Sequence, residues 1–217
     1  MRAMFAAIAD RYDLANHLLS GGLDYFWRKR AAQLVRDWKP ARIFDLATGS
    51  GDLALTLRAA CPDSLLVGAD FCHPMLVIAQ RKGLKRLVVA DGLHLPFADA
   101  TFDALTIAFG LRNMESWLAG LAEMARVLRP DGHLLVLEFS LPPPPLRRIY
   151  GAYLHHVLPV IAGLITGERG AYEYLGETIE EFPSGAKMCE LLRQAGLSEA
   201  VCTPLSGGIV SLYIARR

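Results

Sequence analysis

Short apolar runs alternate with segments of helical periodicity from residue 41 to residue 139. Continuous apolar strands separated by helices are typical of a parallel sheet that is covered on both faces. Because right-handed crossovers connect such strands, we expect a doubly wound α/β fold. The predicted strands are Arg42–Ala47, Leu65–Asp70, Leu87–Ala90, Phe102–Phe109 and His133–Phe139, and the predicted helices are Asp52–Ala60, His73–Arg81, Ser116–Leu128 and Gly185–Ala195.

Two β-prone runs, Glu199–Pro204 and Ile209–Ala215, lie on either side of Ser206-Gly207-Gly208 near the end of the chain. This pattern predicts an antiparallel hairpin. We therefore expect one domain over residues 1–217, built on a mostly parallel seven-stranded sheet with a C-terminal hairpin. Residues 1–40 and 141–185 break the alternation and look helical. They are expected to cap the binding crevice, and surface decoration is the alternative.

Composition excludes several classes of protein. The net charge of +1 gives no electrostatic footprint for nucleic acid. The four cysteines lack a CxxC pair or nearby histidines at ligand spacing, so neither a disulfide framework nor a metal site is expected. The apolar stretch Tyr153–Ile165 is shorter than the roughly 20 residues that span a bilayer. We expect a cytoplasmic protein, and a mean hydropathy of +0.27 leaves room for an apolar ligand or transient membrane contact.

A glycine-rich loop follows the first predicted strand. Gly49, Gly51 and Ala54 fit the G-x-G-x-x-G/A pattern between a strand and a helix, and Asp70 ends the second predicted strand. An acid about 20 residues beyond such a loop can accept hydrogen bonds from ribose hydroxyls. The pattern predicts a nucleoside cofactor and fits NAD as well as S-adenosylmethionine.

Charge distinguishes the two cofactors. Asp45 and Asp52 lie on either side of the glycine loop, where a dinucleotide would place its pyrophosphate. Two carboxylates would repel that anion, whereas S-adenosylmethionine carries an ammonium and a sulfonium. This favours S-adenosylmethionine, with Asp45 in its site. The alternative role of Asp52 is a helix N-cap.

A second acidic position, Asp91-Gly92, follows the third predicted strand. Asp91 can accept a hydrogen bond from the adenine amine, and either Leu93 or Phe97 can form a wall against the ring. A plain Asp-Gly turn is the alternative.

Further motifs extend over nearly the whole chain. They are Ala9–Asn16, Leu19–Leu23 with Trp27-Arg28, Asp45–Asp52, Ala108–Asn113, Leu135–Ser140, Tyr172–Ile179, Phe182-Pro183 and Gly207-Gly208. In these motifs the sequence resembles the ubiquinone/menaquinone biosynthesis C-methyltransferase family. The elements Phe109–Asn113 and Leu137–Ser140 are far more specific than the glycine loop.

This resemblance implies S-adenosylmethionine-dependent, metal-free methylation of a ring carbon on a polyprenylated quinol, with demethylmenaquinol favoured as the substrate and the benzoquinol of ubiquinone synthesis as the alternative. It also implies cofactor contacts from the glycine loop, from the acid of the second strand, and from the pair after the third strand. Ala108 stands where the family often has serine, so only a backbone contact is expected there. The predicted cofactor set is Asp45, Gly49, Ser50, Gly51, Asp70, Phe71, Met75, Asp91, Gly92 and Ala108.

The catalytic candidates are Arg112, Asn113 and Tyr12. Arg112 is predicted to stabilise negative charge on the quinol oxygen, and a structural ion pair with a loop carboxylate is its alternative. Further candidate proton acceptors are His155, His156 and Tyr172. The stretch Tyr153–Ile165 either receives the isoprenoid tail or belongs to the core.

Other functions stay open on the sequence alone. A protein with this fold could methylate another small apolar acceptor, could bind its cofactor without catalysis, or could be a nicotinamide dehydrogenase. The oligomeric state and the route to a membrane-held substrate are also open.

Overall fold

The computed structural model of the chain describes residues 17–166 and 169–217. Within these ranges the strands are β1 (Arg42–Leu46), β2 (Leu65–Asp70), β3 (Leu87–Val89), β4 (Phe102–Ala108), β5 (Leu128–Phe139), β6 (Ser198–Leu205) and β7 (Val210–Arg216). The α-helices are α1 (Leu23–Asp37), α2 (Asp52–Ala60), α3 (His73–Arg81), α4 (Trp117–Val127), α5 (Leu146–Ala152), α6 (Leu158–Thr166), α7 (Arg169–Glu181) and α8 (Ala186–Gln194). A π-helical stretch, Tyr153–Val157, joins α5 to α6, and short 3-10 turns form at Leu111–Asn113 and Ser206–Gly208.

The strands form one seven-stranded sheet in the order β3-β2-β1-β4-β5-β7-β6. Neighbouring strands from β3 to β5 pair in parallel, and β7 is antiparallel to both β5 and β6. The predicted doubly wound fold with a C-terminal hairpin is confirmed. Because β1 pairs with β2 on one side and β4 on the other, the strand order reverses there, and a crevice opens at the carboxyl ends of β1 and β4.

The predicted start of β5 is wrong by several residues. Leu128 already pairs with Phe102, whereas the next pair along the strand is His133 with Ala104, so residues 129–132 bulge out of the ladder. The connection in the C-terminal hairpin is longer than a two-residue turn, because the last β pair joins Leu205 to Val210 and the 3-10 turn lies between them.

The continuous apolar strands result from burial on both faces. The neighbours Ile43 and Phe44 of β1 are both buried, and they point to opposite sides of the sheet. Phe44 packs in the cluster that includes Leu121 of α4, while Ile43 packs in the cluster that includes Trp27 of α1. A smaller cluster joins the cap segments, where Leu154, Leu158, Ala162 and Ile179 are buried together. In the described ranges, every helix is too short or too polar to cross a bilayer.

The loops after β1 and β4 touch at the crevice. Ala47 adopts a left-handed conformation with φ of +52°. Gly110 has an ordinary φ of −114°, yet a Cβ added there would lie 2.4 Å from the Cβ of Ala47. Gly110 is thus required for close approach of the two loops rather than for backbone freedom.

We predict that Gly110→Ala destabilises the protein by about 1–3 kcal/mol, because the added methyl forces the two loops apart. Gly151→Ala is the matched control, since its Cβ would meet no atom within 4 Å and it lies inside α5. The control should be neutral or stabilising by up to about 1 kcal/mol. Equal free energies of unfolding for both variants in urea titrations would show that the loops do not need this contact.

Candidate active site

Two adjoining cavities occupy the crevice at the carboxyl ends of β1 and β4. The first, called the chamber, has a volume of about 170 Å³, and the second, called the cleft, about 210 Å³. Both exceed by far the roughly 10–15 Å³ that one water requires on this scale. Ala47 and Asn113 line both cavities, so the two meet at the ends of β1 and β4.

The glycine loop after β1 is held by the acid of β2. The Gly49 N–H donates to Asp70 Oδ2 at 2.9 Å, and the Cys72 N–H donates to Asp70 Oδ1 at 2.8 Å. Burial raises the pKa of Asp70, although these backbone N–H groups favour its anion. Gly51 has φ of +93°, a backbone conformation that residues with a side chain rarely adopt. A Cβ at this position would also lie 2.6 Å from Leu84 Cδ1, so both the backbone and the available space favour glycine. The predicted residues of this loop therefore come together, with Ser50 buried and lining the chamber.

Asp45 is buried below the loop. Its two carboxylate oxygens accept hydrogen bonds from Thr48 Oγ1 and Thr106 Oγ1, both at 2.6 Å. Burial raises the pKa of Asp45 to about 6, and the two hydroxyls oppose that rise. Asp45 lines the chamber, but its hydrogen bonds show that it also fixes the loop.

Asp52 differs from its predicted role. Helix α2 begins after Gly51 without a side-chain cap, so the N-cap interpretation is wrong. The Asp52 carboxylate accepts from Lys82 Nζ at 2.8 Å and lies 3.7 Å from Arg28 Nη2. We expected the charge of Asp52 to repel a pyrophosphate, but Lys82 and Arg28 balance that charge.

The cleft is lined by four of the predicted cofactor residues, which are Asp70, Phe71, Asp91 and Gly92. Asp91 Oδ1 accepts from the Leu93 N–H at 2.9 Å, so the Asp-Gly turn also forms.

Two residues that the sequence predicts at the cofactor site lie outside the cleft. Phe97 as a wall of the cleft is wrong, since its ring packs against Phe44 and Phe102 with centroids 5.0 and 5.1 Å away. Leu93 lines the cleft instead. Met75 is buried outside both linings, with its Cε 3.9 Å from the position of a Cβ on Gly49. Met75 therefore supports the loop from below.

Arg112 forms a buried ion pair. Its Nη1 donates to Glu138 Oε1 at 2.7 Å and to the Phe109 carbonyl at 2.6 Å, and Glu138 is fully buried. The carboxylate belongs to β5 rather than to a loop. Within the part of the chain that the structure describes, Nε is buried without a hydrogen-bond partner, and Nη2 donates no hydrogen bond either. Arg112 also lines the chamber. Its guanidinium group therefore forms a structural ion pair through Nη1, while Nε and Nη2 have no hydrogen-bond acceptor among the described residues.

The other catalytic candidates have different outcomes. Asn113 lies at the junction of chamber and cleft, and Ala108 lines the chamber. Tyr12 and the side chain of Tyr172 lie outside the described residues. His155 and His156 are exposed and line neither cavity, and His155 pairs with Glu180 at 2.9 Å. Their interpretation as proton acceptors is wrong.

Sequence reasoning missed three tyrosines of the chamber. Tyr150, Tyr153 and Tyr174 line it, and the Tyr153 hydroxyl donates to the Leu19 carbonyl at 2.8 Å. Burial raises the pKa of all three phenols, so each keeps its proton near neutral pH. The spacing of Tyr150 and Tyr153 places both on one side of a helical segment, and this was the available signal.

Sequence reasoning also gave no role to a buried pair on α1. Asp24 and Arg28 line the chamber, whereas the sequence identifies Arg28 only as part of the motif Trp27-Arg28. The spacing of four residues on a helix predicts such an ion pair.

Comparison with known proteins agrees with the predicted family. The sequence profile described as the ubiE/COQ5 methyltransferase family matches residues 1–217. A demethylmenaquinone methyltransferase of Thermus thermophilus is 48% identical over 99% of this chain and 100% of its own length. One of Deinococcus radiodurans is 43% identical over 99% and 91%, and a ubiquinone/menaquinone biosynthesis C-methyltransferase of Geobacter sulfurreducens is 40% identical over 98% and 86%.

Solved structures share the fold. A SAM-dependent methyltransferase of Thermotoga maritima superposes with a TM-score of 0.70 over 99% of this chain and 98% of its own, at 18% identity. One from Aquifex aeolicus gives 0.60 over 84% and 87%, also at 18% identity. At these identities the likeness shows the fold alone, whereas the profile and the relatives confirm the predicted enzyme class and cofactor. The chain belongs to the ubiE/COQ5 methyltransferase family.

Proposed function

We propose that the protein transfers a methyl group from S-adenosylmethionine to a ring carbon of a polyprenylated quinol, converting demethylmenaquinol to menaquinol. The observation that carries this proposal is the apolar chamber, with a few polar donors, directly beside a cleft that contains a carboxylate. The names of the relatives supply the substrate class.

The residues of the cleft suit the nucleoside of this cofactor. Asp70 uses its oxygens for backbone N–H groups, yet a carboxylate has about four acceptor positions, so ribose hydroxyls can also donate to it. Phe71 and the Asp91-Gly92 pair would hold the adenine end, and residues 49–51 with Asp45 and Ala108 the methionine end. S-adenosylmethionine, when bound, supplies an electrophilic methyl group.

The chamber has the properties that a quinol ring and its tail require. Leu154, Leu158, Leu175 and Ile179 give it an apolar wall. Arg112 and the protonated phenols of Tyr150 and Tyr174 provide donors for the quinol oxygen, whereas the Tyr153 hydroxyl already donates to Leu19. A ring carbon becomes nucleophilic as the neighbouring hydroxyl loses its proton, and stabilising the oxygen charge lowers that barrier. The C–C bond would form as the sulfur–methyl bond breaks, leaving S-adenosylhomocysteine. The ring carbon would then lose its proton to water, and the ring would regain aromaticity.

Arg112 is the proposed stabiliser of the oxygen, and Asn113 and Tyr12 are proposed to orient the substrate. Arg112 brings a guanidinium group to the wall of the chamber. Its Nη1 is committed to Glu138, so the charge is fixed in position before the reaction. A donor that needs no reorganisation stabilises a developing charge most effectively.

The outer face of the cap segments fits a membrane surface. Residues 141–166 contain no Asp or Glu, and Arg147 and Arg148 are exposed. Helical surfaces with apolar side chains and flanking arginines bind anionic bilayers. We propose that this face rests on an anionic membrane while the opposite face lines the chamber. Its exposed apolar residues, here called the apolar patch, are Leu146, Ile149, Val157, Val160 and Ile161.

The proposed reaction is tested by incubating the protein with methyl-labelled S-adenosylmethionine and reduced demethylmenaquinone, and in parallel with the demethylated benzoquinol. We expect label in menaquinol, with little in the benzoquinol product. Mass spectrometry of the product identifies the methylated carbon. Tight S-adenosylhomocysteine binding without methyl transfer to either quinol would reject the quinol as substrate.

The role of Arg112 requires a variant that keeps the ion pair. Arg112→Ala should lower stability by about 3–5 kcal/mol, because it leaves Glu138 buried and unpaired. Arg112→Lys retains a cation near Glu138 but lacks the planar second edge. We predict that its kcat falls by roughly 10- to 100-fold with unchanged affinity for S-adenosylhomocysteine.

Arg129→Lys is the matched control for Arg112→Lys, since Arg129 pairs with Asp103 at 2.7 Å away from the chamber. Its turnover should equal that of the wild type. A folded Arg112→Lys protein with wild-type kcat would leave Arg112 a structural role only.

The apolar patch is tested by Ile149→Glu combined with Val160→Glu. Two exposed acids should reduce flotation with phosphatidylglycerol vesicles, because the bilayer repels buried charge and its surface is anionic. Val201→Glu is the control, since Val201 is an exposed residue of β6. Turnover of a short-tailed soluble quinol should be unaffected. Equal vesicle binding by the wild type and the double variant would contradict this contact.

A further inference from the structure

Helix α1 carries a buried ion pair that faces the chamber. Asp24 and Arg28, one helical turn apart, are 3% and 8% exposed, and both line the chamber with Gly49 and Ser50 of the glycine loop. A charged pair in such a position is expensive to bury unless its hydrogen bonds are well made. Because the pair lines the same chamber as the glycine loop, it is also placed to contact a ligand there.

Asp24 fixes the position of Arg28. Its Oδ1 accepts from Ser20 Oγ at 2.8 Å, and its Oδ2 accepts from His17 Nδ1 at 2.6 Å and from Arg28 Nη1. Burial alone would raise the pKa of Asp24, but the charge of Arg28 and the hydrogen bonds lower it overall. The carboxylate is therefore anionic, and it holds one end of the guanidinium.

The other end of the guanidinium is left without a strong partner. Its Nη2 lies 3.7 Å from Asp52 Oδ2, outside hydrogen-bond range, and Asp52 is already bound to Lys82 at 2.8 Å. Among residues 17–166 and 169–217, neither Nε nor Nη2 of Arg28 donates a hydrogen bond. The guanidinium carbon lies 5.8 Å from the centroid of the Phe109 ring, within the range of a cation-π contact.

We propose that Arg28 binds the α-carboxylate of the methionine end of S-adenosylmethionine. This inference rests on the proposed function. The α-carboxylate is the anionic group of that cofactor, and a planar guanidinium edge matches a carboxylate in a two-point geometry. Arg28 and Arg112 both line the chamber, and Arg28 lies at the glycine loop, with its Nη2 3.7 Å from Oδ2 of Asp52, the residue after Gly51. Asp24, which does not itself touch the cofactor, is a positioning residue for Arg28.

A purely structural pair that anchors α1 to the domain predicts something different. In that case the affinity for a cofactor analogue would not depend on whether it carries the carboxylate. A carboxylate-binding role and a purely structural role of Arg28 can be distinguished when the ligand and the protein are changed together, as in a double-mutant cycle.

The experiment uses isothermal titration calorimetry with two ligands, S-adenosylhomocysteine and S-adenosyl-3-thiopropylamine, which is the same molecule without the carboxylate. For the wild type we expect S-adenosylhomocysteine to bind about 10- to 100-fold more tightly, the range of one charge-assisted contact. In Arg28→Met this preference should disappear, with the loss entirely in S-adenosylhomocysteine affinity. Lys29→Met is the matched control, since Lys29 is the exposed cation next to Arg28 and its loss should keep the preference.

Arg28→Met leaves Asp24 unpaired, so Arg28→Met combined with Asp24→Asn is the second variant, and it should also lack the preference. An unchanged preference in either folded variant, or none in the wild type, would overturn the role of Arg28. In both of these results the carboxylate-free ligand still binds the wild type, so the proposed cofactor stands. Failure of both ligands to bind the wild type would overturn the proposed function together with this inference.

Discussion

The hydrogen bond from the Gly49 N–H to the Asp70 carboxylate joins β2 to the loop after β1, and the site depends on it. Asp70 lines the cleft and Gly49 lines the chamber, so this hydrogen bond connects the two cavities. Asp45 supports the same loop through Thr48 and through Thr106 of β4. Two buried carboxylates therefore tie three parallel strands to one loop at the point where the strand order reverses. The fold and the proposed cofactor site therefore use the same contacts.

Charge around the chamber is arranged in buried pairs. Arg112 is held by Glu138 and Arg28 by Asp24, and in each case one edge of the guanidinium is committed while another has no hydrogen bond from the described residues. A pair of this kind keeps a cation fixed in an apolar space without the reorganisation that a free side chain would need. We therefore expect removal of either cation to affect stability and function together. Conservative variants and ligand analogues are needed to separate these effects.

Regular elements were predictable because their patterns are local. The bounds of α2, β2 and α3 agree with the sequence prediction, since periodicity and the glycine loop define them. Errors concern tertiary contacts. Phe97 turns into the aromatic cluster with Phe44, and His155 points to Glu180 on the surface, and neither direction is encoded in the neighbouring residues. The tyrosines of the chamber were missed for the same reason, because spacing gives their common side but not what that side faces.

We propose that the nucleoside of S-adenosylmethionine lies in the cleft beside Asp70 and that its methionine end reaches the chamber. A crystal structure of the complex with S-adenosylhomocysteine tests it most directly. We expect the ribose hydroxyls within hydrogen-bond distance of the Asp70 carboxylate, and the sulfur at the junction of chamber and cleft that is formed by Ala47 and Asn113. A ligand bound with its ribose away from Asp70, or with its sulfur outside the chamber, would contradict this placement of the cofactor.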